Sequence, residues 1–378
     1  MKIVIAPDSF KGSLTSLQVA DAIEQGLRTV VGDRADIVKV NVADGGEGTT
    51  AALLDALGGT MVSAVVSDPL GRPVNAAYGI TAAGDTAIIE MSAASGLPLL
   101  DPSQRNPMLT SIFGTGEMIA YALARGCCRL LIGIGGSATN DAGTGMLTAL
   151  GWKFLDADGN TLHGCGAAME KISRVDASGV LPALREASIT VACDVNNPMY
   201  GPQGAACVFA PQKGATPAMV ARLDKGLRHF ASVIASECGV IVDDVAGAGA
   251  AGGMGAAFLA FLGARLAPGI EMVLEAIRFD ETLKGASLVF TGEGRIDAQT
   301  LCGKTPYGVL AHAAKQGVGV IAIGGQVVAH PEGFLDVVQA TPDGMPLQHA
   351  MHPATAFANV SAAAANAIKR LTRDSCLL

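Results

Sequence analysis

The residues best suited to chemistry fall in three short runs. TGEGRIDAQTLCGKTP, Thr291 to Pro306, places Glu293, Asp297 and Lys304 among glycines on what reads as a strand-to-helix connection, directly after the apolar stretch Ser287–Phe290. ADGGEGTT, with Asp44 and Glu47, follows the alternating Val38–Val42, and APDSFKGS, with Asp8, Ser9 and Lys11, follows Ile3–Ile5. Carboxylates beside lysines suit a phosphate group, its Mg²⁺ ion and a proton acceptor meeting in one place. Mg²⁺ keeps waters and binds substrate phosphates, so two of the four acids Asp44, Glu47, Glu293 and Asp297 suffice. Lys304 precedes Thr305-Pro306, a good N-cap and first helical position, so it would flank a helix N-terminus that favours anions. Taken singly, each acid also reads as a turn former and Lys304 as a surface lysine. Gly303-Lys304-Thr305 is no P-loop, because position 298 holds Ala298 where a glycine is required.

Two further loops qualify. Gly133–Gly143, GIGGSATNDAG, follows an apolar stretch. Its amides at Gly135 and Gly136 and the hydroxyls of Ser137 and Thr139 can wrap anionic oxygens, or simply form a tight strand–helix junction. Asp194 and Asn196 end the strand-like Ile189–Ala192, where either substrate contact or turn formation explains them. Gly247–Gly252 is a literal GxGxxG with Glu271 downstream, the basis of an alternative reading as an NAD(P)-dependent oxidoreductase acting on a small hydroxy acid. It lacks a convincing strand before it, and close packing around Gly252 and Gly253 or a phosphate-facing nest explains the glycines better. The six histidines show no zinc spacing, and no GxSxG elbow is present.

These loops need elements to hold them. Lys2–Ala6, a helix opened by the Thr15-x-x-Gln18 capping box, and Val38–Val42 read as a βαβ start. Met61–Val66, Val74–Ile80 and Thr86–Met91 change style to short, antiparallel strands, Trp152–Leu162 with its DADGN reads as a hairpin, and Thr216-Pro217 opens a long helix to about Cys238. From Ala286 the βα pattern returns: strand Ser287–Phe290, a helix from Pro306, strand Val318–Ile323 and a last helix near Ala354–Arg373. The expected fold class is therefore α/β with two different α/β domains. A Rossmann- or flavodoxin-like, mainly parallel domain (1–62 plus 285–378) is interrupted by an inserted mixed-sheet α/β domain (63–284). At 378 residues the chain has ample core. Half its residues are hydrophobic but only 4% aromatic, so that core is aliphatic. A net charge of −8 argues against nonspecific nucleic-acid or anionic-membrane partners. Eight cysteines without CxxC pairing, and no leader, predict a reduced cytoplasmic protein. The uncharged Val245–Ala264 is too rich in glycine and alanine for a membrane span, and reads as a loop entering a buried helix.

Taken together, IAPDSFKGS, ADGGEGT, AIIEMSAASGL, GIGGSATNDAG, ACDVNNP, FAPQKGAT, AGAAGGMGAA and TGEGRIDAQT-x-x-GK-x-P resemble the bacterial glycerate kinase family that makes 2-phosphoglycerate. The likeness runs in order from residue 3 to about 325, beyond which GGQVVAHPEGFLD and TPDGMPLQHAMHPATAF are less typical. The resemblance implies ATP- and Mg²⁺-dependent phosphorylation of D-glycerate, in the cytoplasm, at a cleft between two α/β domains. On that reading Asp297 is the general base or orienter for the 2-hydroxyl, and Lys304 and Lys11 balance phosphate and carboxylate charge. Asp44, Glu47 and Glu293 hold Mg²⁺. Asp194 joins Asp297 and Lys304 as a catalytic residue, and Asp8, Ser9, Lys11, Gly135, Gly136, Ser137, Asn196, Gly252 and Gly253 contact substrate or phosphate. Which hydroxyl is phosphorylated, the 2- or the 3-, rests on the family alone; a homodimer is one expectation for the assembly.

Overall fold

The computed structural model describes residues 1–46, 48–297, 300 and 303–374. They form two units, Met1–Asp44 with Gly269–Leu378, and Gly45–Pro268. The expected boundaries lay at 62/63 and 284/285. Residues 59–62 belong with the second unit because they open a strand that pairs antiparallel inside its sheet.

The chain opens with β1 (Lys2–Ile5), α1 (Ser16–Val31) and β2 (Asp36–Lys39). Helix α1 starts at the expected capping box: Thr15 Oγ accepts from Gln18 N, and Gln18 Oε1 accepts from Thr15 N. It buries Val19, Ile23 and Leu27, which recur at helical spacing on one face.

The second unit follows. It begins with α2 (Thr49–Leu57), β3 (Gly59–Ser67), β4 (Pro73–Thr81), β5 (Thr86–Glu90), α3 (Ser92–Ser95), α4 (Phe113–Ala124), β6 (Arg129–Gly133) and α5 (Thr144–Ala149). The hairpin read from DADGN is present as β7 (Lys153–Leu155) with β8 (Thr161–Leu162), and β9 (Arg174–Asp176) pairs β7 from the other side. Then come β10 (Ser188–Ala192), α6 (Ala205–Phe209), α7 (Pro217–Cys238), α8 (Ala250–Leu262) and β11 (Arg265–Ala267). Thr216 caps α7 through its side chain and Pro217 takes the first turn, as the sequence indicated. The main sheet runs β11-β10-β6-β5-β4-β3. Its strands β5, β6, β10 and β11 are parallel, while β3 and β4 are antiparallel additions. Among the described residues no helix is long and apolar enough to cross a membrane.

The chain then completes the first unit with α9 (Gly269–Ala276), α10 (Phe279–Thr282), β12 (Ala286–Ile296), α11 (Thr305–Lys315), β13 (Gly319–Val327), β14 (Asp336–Gln339), α12 (Leu347–Ala350) and α13 (Pro353–Asp374). Its five-stranded sheet is wholly parallel, in the order β14-β13-β12-β1-β2. Strand β2 lies on one side of β1 and the later strands on the other. The order therefore reverses between β1 and β12, which is where an open parallel sheet leaves a crevice at its carboxyl edge.

Two local expectations are corrected. Thr291–Ile296 is not a strand-to-helix connection but the second half of β12, paired in register with β13 as far as Ile296 and Val327. Gly292 permits this, since a Cβ there would lie 2.4 Å from the Ile323 carbonyl oxygen. Helix α11 begins at Thr305 with Lys304 at the N-cap, so Thr305 is not the cap; its hydroxyl is engaged elsewhere.

Candidate active site

The crevice between β1 and β12 holds the polar residues. The segment after β1 is strapped to β12: Ala6 N donates to Phe290 O, Asp8 N to Gly292 O, and the Thr291 hydroxyl to Ala6 O, each at 2.8 Å. Asp8 is thereby fixed beside Glu293. It is buried, and its Oδ1 accepts from Ser9 N at 2.7 Å while its Oδ2 accepts from the Thr305 hydroxyl at 2.9 Å. Burial, and then the neighbouring charge of Asp44, push the Asp8 carboxyl up from 3.8 to about 6, against those two hydrogen bonds. Burial also raises the Glu293 carboxyl, whose Oε1 accepts a 2.6 Å bond from the Thr300 hydroxyl.

Two lysines face these acids. Lys11, at the exposed tip of the turn Phe10–Leu14, pairs with Asp44 at 3.4 Å, and that carboxylate raises the lysine's pKa. Lys304 Nζ lies 3.4 Å from Glu293 and 3.9 Å from Asp297. Asp8, Ser9, Lys11, Asp44, Glu293 and Lys304 all line one cavity of about 780 Å³ within the first unit. Asp297 lies outside that lining, and Arg295 sits 3.5 Å from its carboxylate.

Glu47, expected to join the acids, lies outside the described residues, as do Ala298 and Gln299 beside Asp297. Among the described residues no group of three acids, histidines or cysteines gathers as a metal cage. Asp8 and Asp44 nevertheless repel each other across the cavity, as the raised Asp8 carboxyl records. A pair of carboxylates on one cavity, one of them balanced by Lys11, fits an ion that arrives on phosphates and keeps its waters better than a resident metal.

In the second unit the loops follow adjacent parallel strands. Gly135 and Gly136 come after β6 and are exposed; a Cβ at Gly135 would meet nothing within 4 Å, and Gly136 adopts φ +74°. Asp194 and Asn196, also exposed, come after β10. Ser137 is buried and turned inward: its Oγ accepts from Lys213 Nζ at 3.0 Å, and the same ammonium donates to Thr139 O at 2.6 Å. Lys213 is completely enclosed, and desolvation lowers it from 10.5 to about 7, with Asp141 opposing. Asp141 is raised to about 6 by burial, although three backbone amides, of Ile112, Gly143 and Gly145, donate to its carboxylate. Gly252 and Gly253 are buried against this loop. Side chains there would strike Thr139 O at 2.3 Å and Ala142 Cα at 3.1 Å, so packing accounts for both glycines.

Comparison with known proteins decides the family. The model of the glycerate kinase family matches residues 3–372. The chain belongs to that family. The glycerate 2-kinase of Escherichia coli strain K12 is 50% identical over 339 residues, covering 88% of this chain and 89% of that one. The glycerate kinase of Bacillus subtilis strain 168 is 47% identical, covering 94% of each. A crystal structure bearing the name glycerate kinase 2, from Salmonella typhimurium LT2, superposes with a TM-score of 0.90 at 48% identity over 100% of both chains.

A glycerate kinase has no use for the nicotinamide reading, and the structure removes its basis. Among the described residues no strand leads directly into Gly247, the preceding element being α7, and a Cβ on Gly249 would stand 2.1 Å from the Pro198 carbonyl oxygen. Glu271, the would-be ribose acid, instead bonds His312 Nε2 at 3.0 Å, while Asp280 takes Nδ1 at 2.7 Å. Sequence reasoning overlooked Thr305 and Thr300, the hydroxyls that hold Asp8 and Glu293, and the cavity's far wall from Gln339 to Val360. Thr305 was hidden by its good fit to a cap; the wall is built from residues 339–360, beyond the last of the motifs that carried the resemblance.

Proposed function

We propose that this glycerate kinase transfers the γ-phosphoryl group of ATP to the 2-hydroxyl of D-glycerate, giving 2-phosphoglycerate and ADP. The observation that carries the reading is the cavity at the β1–β12 reversal, where two lysines and three carboxylates converge. The names of the relatives support the substrate. Phosphoryl transfer asks a protein for positioning, charge neutralisation and a group that takes or orients the hydroxyl proton. Lys304 and Lys11 supply charge toward phosphate and glycerate carboxylate. Asp44 and Glu293, with Glu47, would hold Mg²⁺, which neutralises phosphate charge when bound. Ser9, Gly135, Gly136, Asp194 and Asn196 remain proposed contacts for substrate or phosphate.

The base assignment shifts from Asp297 to Asp8. Asp297 is flanked by Arg295 and Lys304 and lies outside the cavity lining, whereas Asp8 lines it with a carboxyl poised near 6. Asp297 then steers Lys304. ATP dependence makes the enzyme cytoplasmic on this reading.

The test is turnover of D-glycerate with ATP and Mg²⁺, coupled to enolase without phosphoglycerate mutase. A signal is the expected result. Silence rescued by the mutase would make the 3-hydroxyl the acceptor, and absence of ADP would refute the kinase reaction on glycerate.

A further inference from the structure

The cavity is far larger than a three-carbon acid needs; about 780 Å³ lies in the range, roughly 300–1,000 Å³, of pockets for drug-sized ligands. Its polarity is divided. Most of its charged residues sit at the strand ends, Asp343 lies on the loop after β14, and the rest of that side is walled by Phe10, Met345, Leu347, Met351, Ala356 and Val360. Phe10, Ala356 and Val360 are buried, and the two thioethers are suited to the face or edge of a flat ring.

Three carboxamides line the cavity, of which Gln326 is exposed at the end of β13. Gln339 is committed to holding its own loop: its Oε1 accepts from Val327 N at 3.0 Å, and its Nε2 donates to Thr341 O at 2.9 Å and Asp343 Oδ1 at 3.1 Å. Asn359, on α13 and half-buried, donates only to the Met345 sulfur at 3.5 Å among the described residues, a weak acceptor that a better one would displace. A carboxamide offers a donor and an acceptor side by side. That pattern matches the N6/N7 edge of adenine, whereas guanine presents two acceptors, O6 and N7, and calls for Arg or Lys.

We infer that the end of the cavity between Met345 and α13 is a purine subsite, and that the Asn359 carboxamide selects adenine over guanine. The inference rests on the ATP reading above and adds where the base lies and what chooses it. The phosphates of a nucleotide seated this way extend toward Lys11 and Lys304.

Calorimetric binding of ADP and GDP, which needs no turnover, tests it on the full chain. The unmodified enzyme should bind ADP at least tenfold more tightly than GDP. Asn359→Leu should weaken ADP about tenfold, leave GDP within twofold, and leave the KM for D-glycerate unchanged with an unaltered melting temperature. Met345→Arg, a change in a half-buried loop, should reverse the preference toward GDP and serves if the first variant folds poorly. Unchanged ADP affinity in both variants, or a raised glycerate KM with ADP binding intact, would overturn the subsite while leaving glycerate phosphorylation standing. Binding that follows the expected pattern in an enzyme that does not phosphorylate glycerate would uphold the subsite and refute the reaction instead.

Discussion

Asp8 carries the sharpest consequence of a single side chain. Its carboxyl is raised to about 6, so the fraction ionised, and with it the capacity to accept a proton, grows as pH rises through that value. The rate at saturating substrates should rise through about pH 6, and Asp8→Asn should remove the limb and lower kcat by roughly 10²–10⁴-fold with the KM for ATP within a fewfold. Asp297→Asn should cost far less; a pH–rate profile of both variants decides, and the reverse ranking would return the base to Asp297. Because the Thr305 hydroxyl lowers the Asp8 carboxyl, Thr305→Val should move the limb to higher pH. Lys213 shows the opposite sign in stability. Its folded value, about 7, lies below the ordinary 10.5, so the unfolded chain binds the extra proton between these values and stability rises with pH across that window. Urea midpoints at pH 7 and 9.5 should show a gain in the native protein that Lys213→Met lacks.

At the level of elements, tight packing of α1 on α13 is the most exposed to mutation. A Cβ at Gly26 would stand 2.1 Å from the Ser361 carbonyl oxygen, so even Gly26→Ala must push the helices apart; a loss of about 1–3 kcal/mol in chemical denaturation is expected. Thr15→Ala, which breaks the capping box, should cost about 1 kcal/mol. Such local devices were legible: the Thr15–Gln18 box, the Thr216–Pro217 start and the β7–β8 hairpin are each written in neighbouring residues. The acids and lysines around Asp8, Lys304 and Glu293 were also legible, because apolar strands run straight into them. What was not legible depends on distant partners. Thr291–Ile296 looks like a turn from its glycines, yet β13 makes it strand. Lys213 looks like a surface lysine, yet the Ser137–Thr139 loop encloses it. Thr305 has ideal chemistry for a cap and is instead turned toward an aspartate nearly the whole chain away.

Beside the small β8-β7-β9 sheet, the described residues carry two main sheets of different construction. One is wholly parallel and made from both ends of the chain, and the other is mixed and made from an unbroken stretch. The two contrasting groups belong to different units: Asp8, poised near 6, to the first, and Lys213, poised near 7, to the second. The strap joining Thr291 to Ala6 spans 285 residues of sequence. During synthesis at about 5–20 residues per second, β1 and α1 leave the ribosome and then wait roughly 15 seconds to a minute for β12 to emerge. The stretch 45–268 has all of its strands in hand about 1–4 seconds before that. Pulse proteolysis of arrested nascent chains should therefore find it resistant while residues 1–44 are still cut. Through that interval β1 has one neighbour where the finished sheet gives it two, so the earliest-made strand is the one a chaperone has longest to hold.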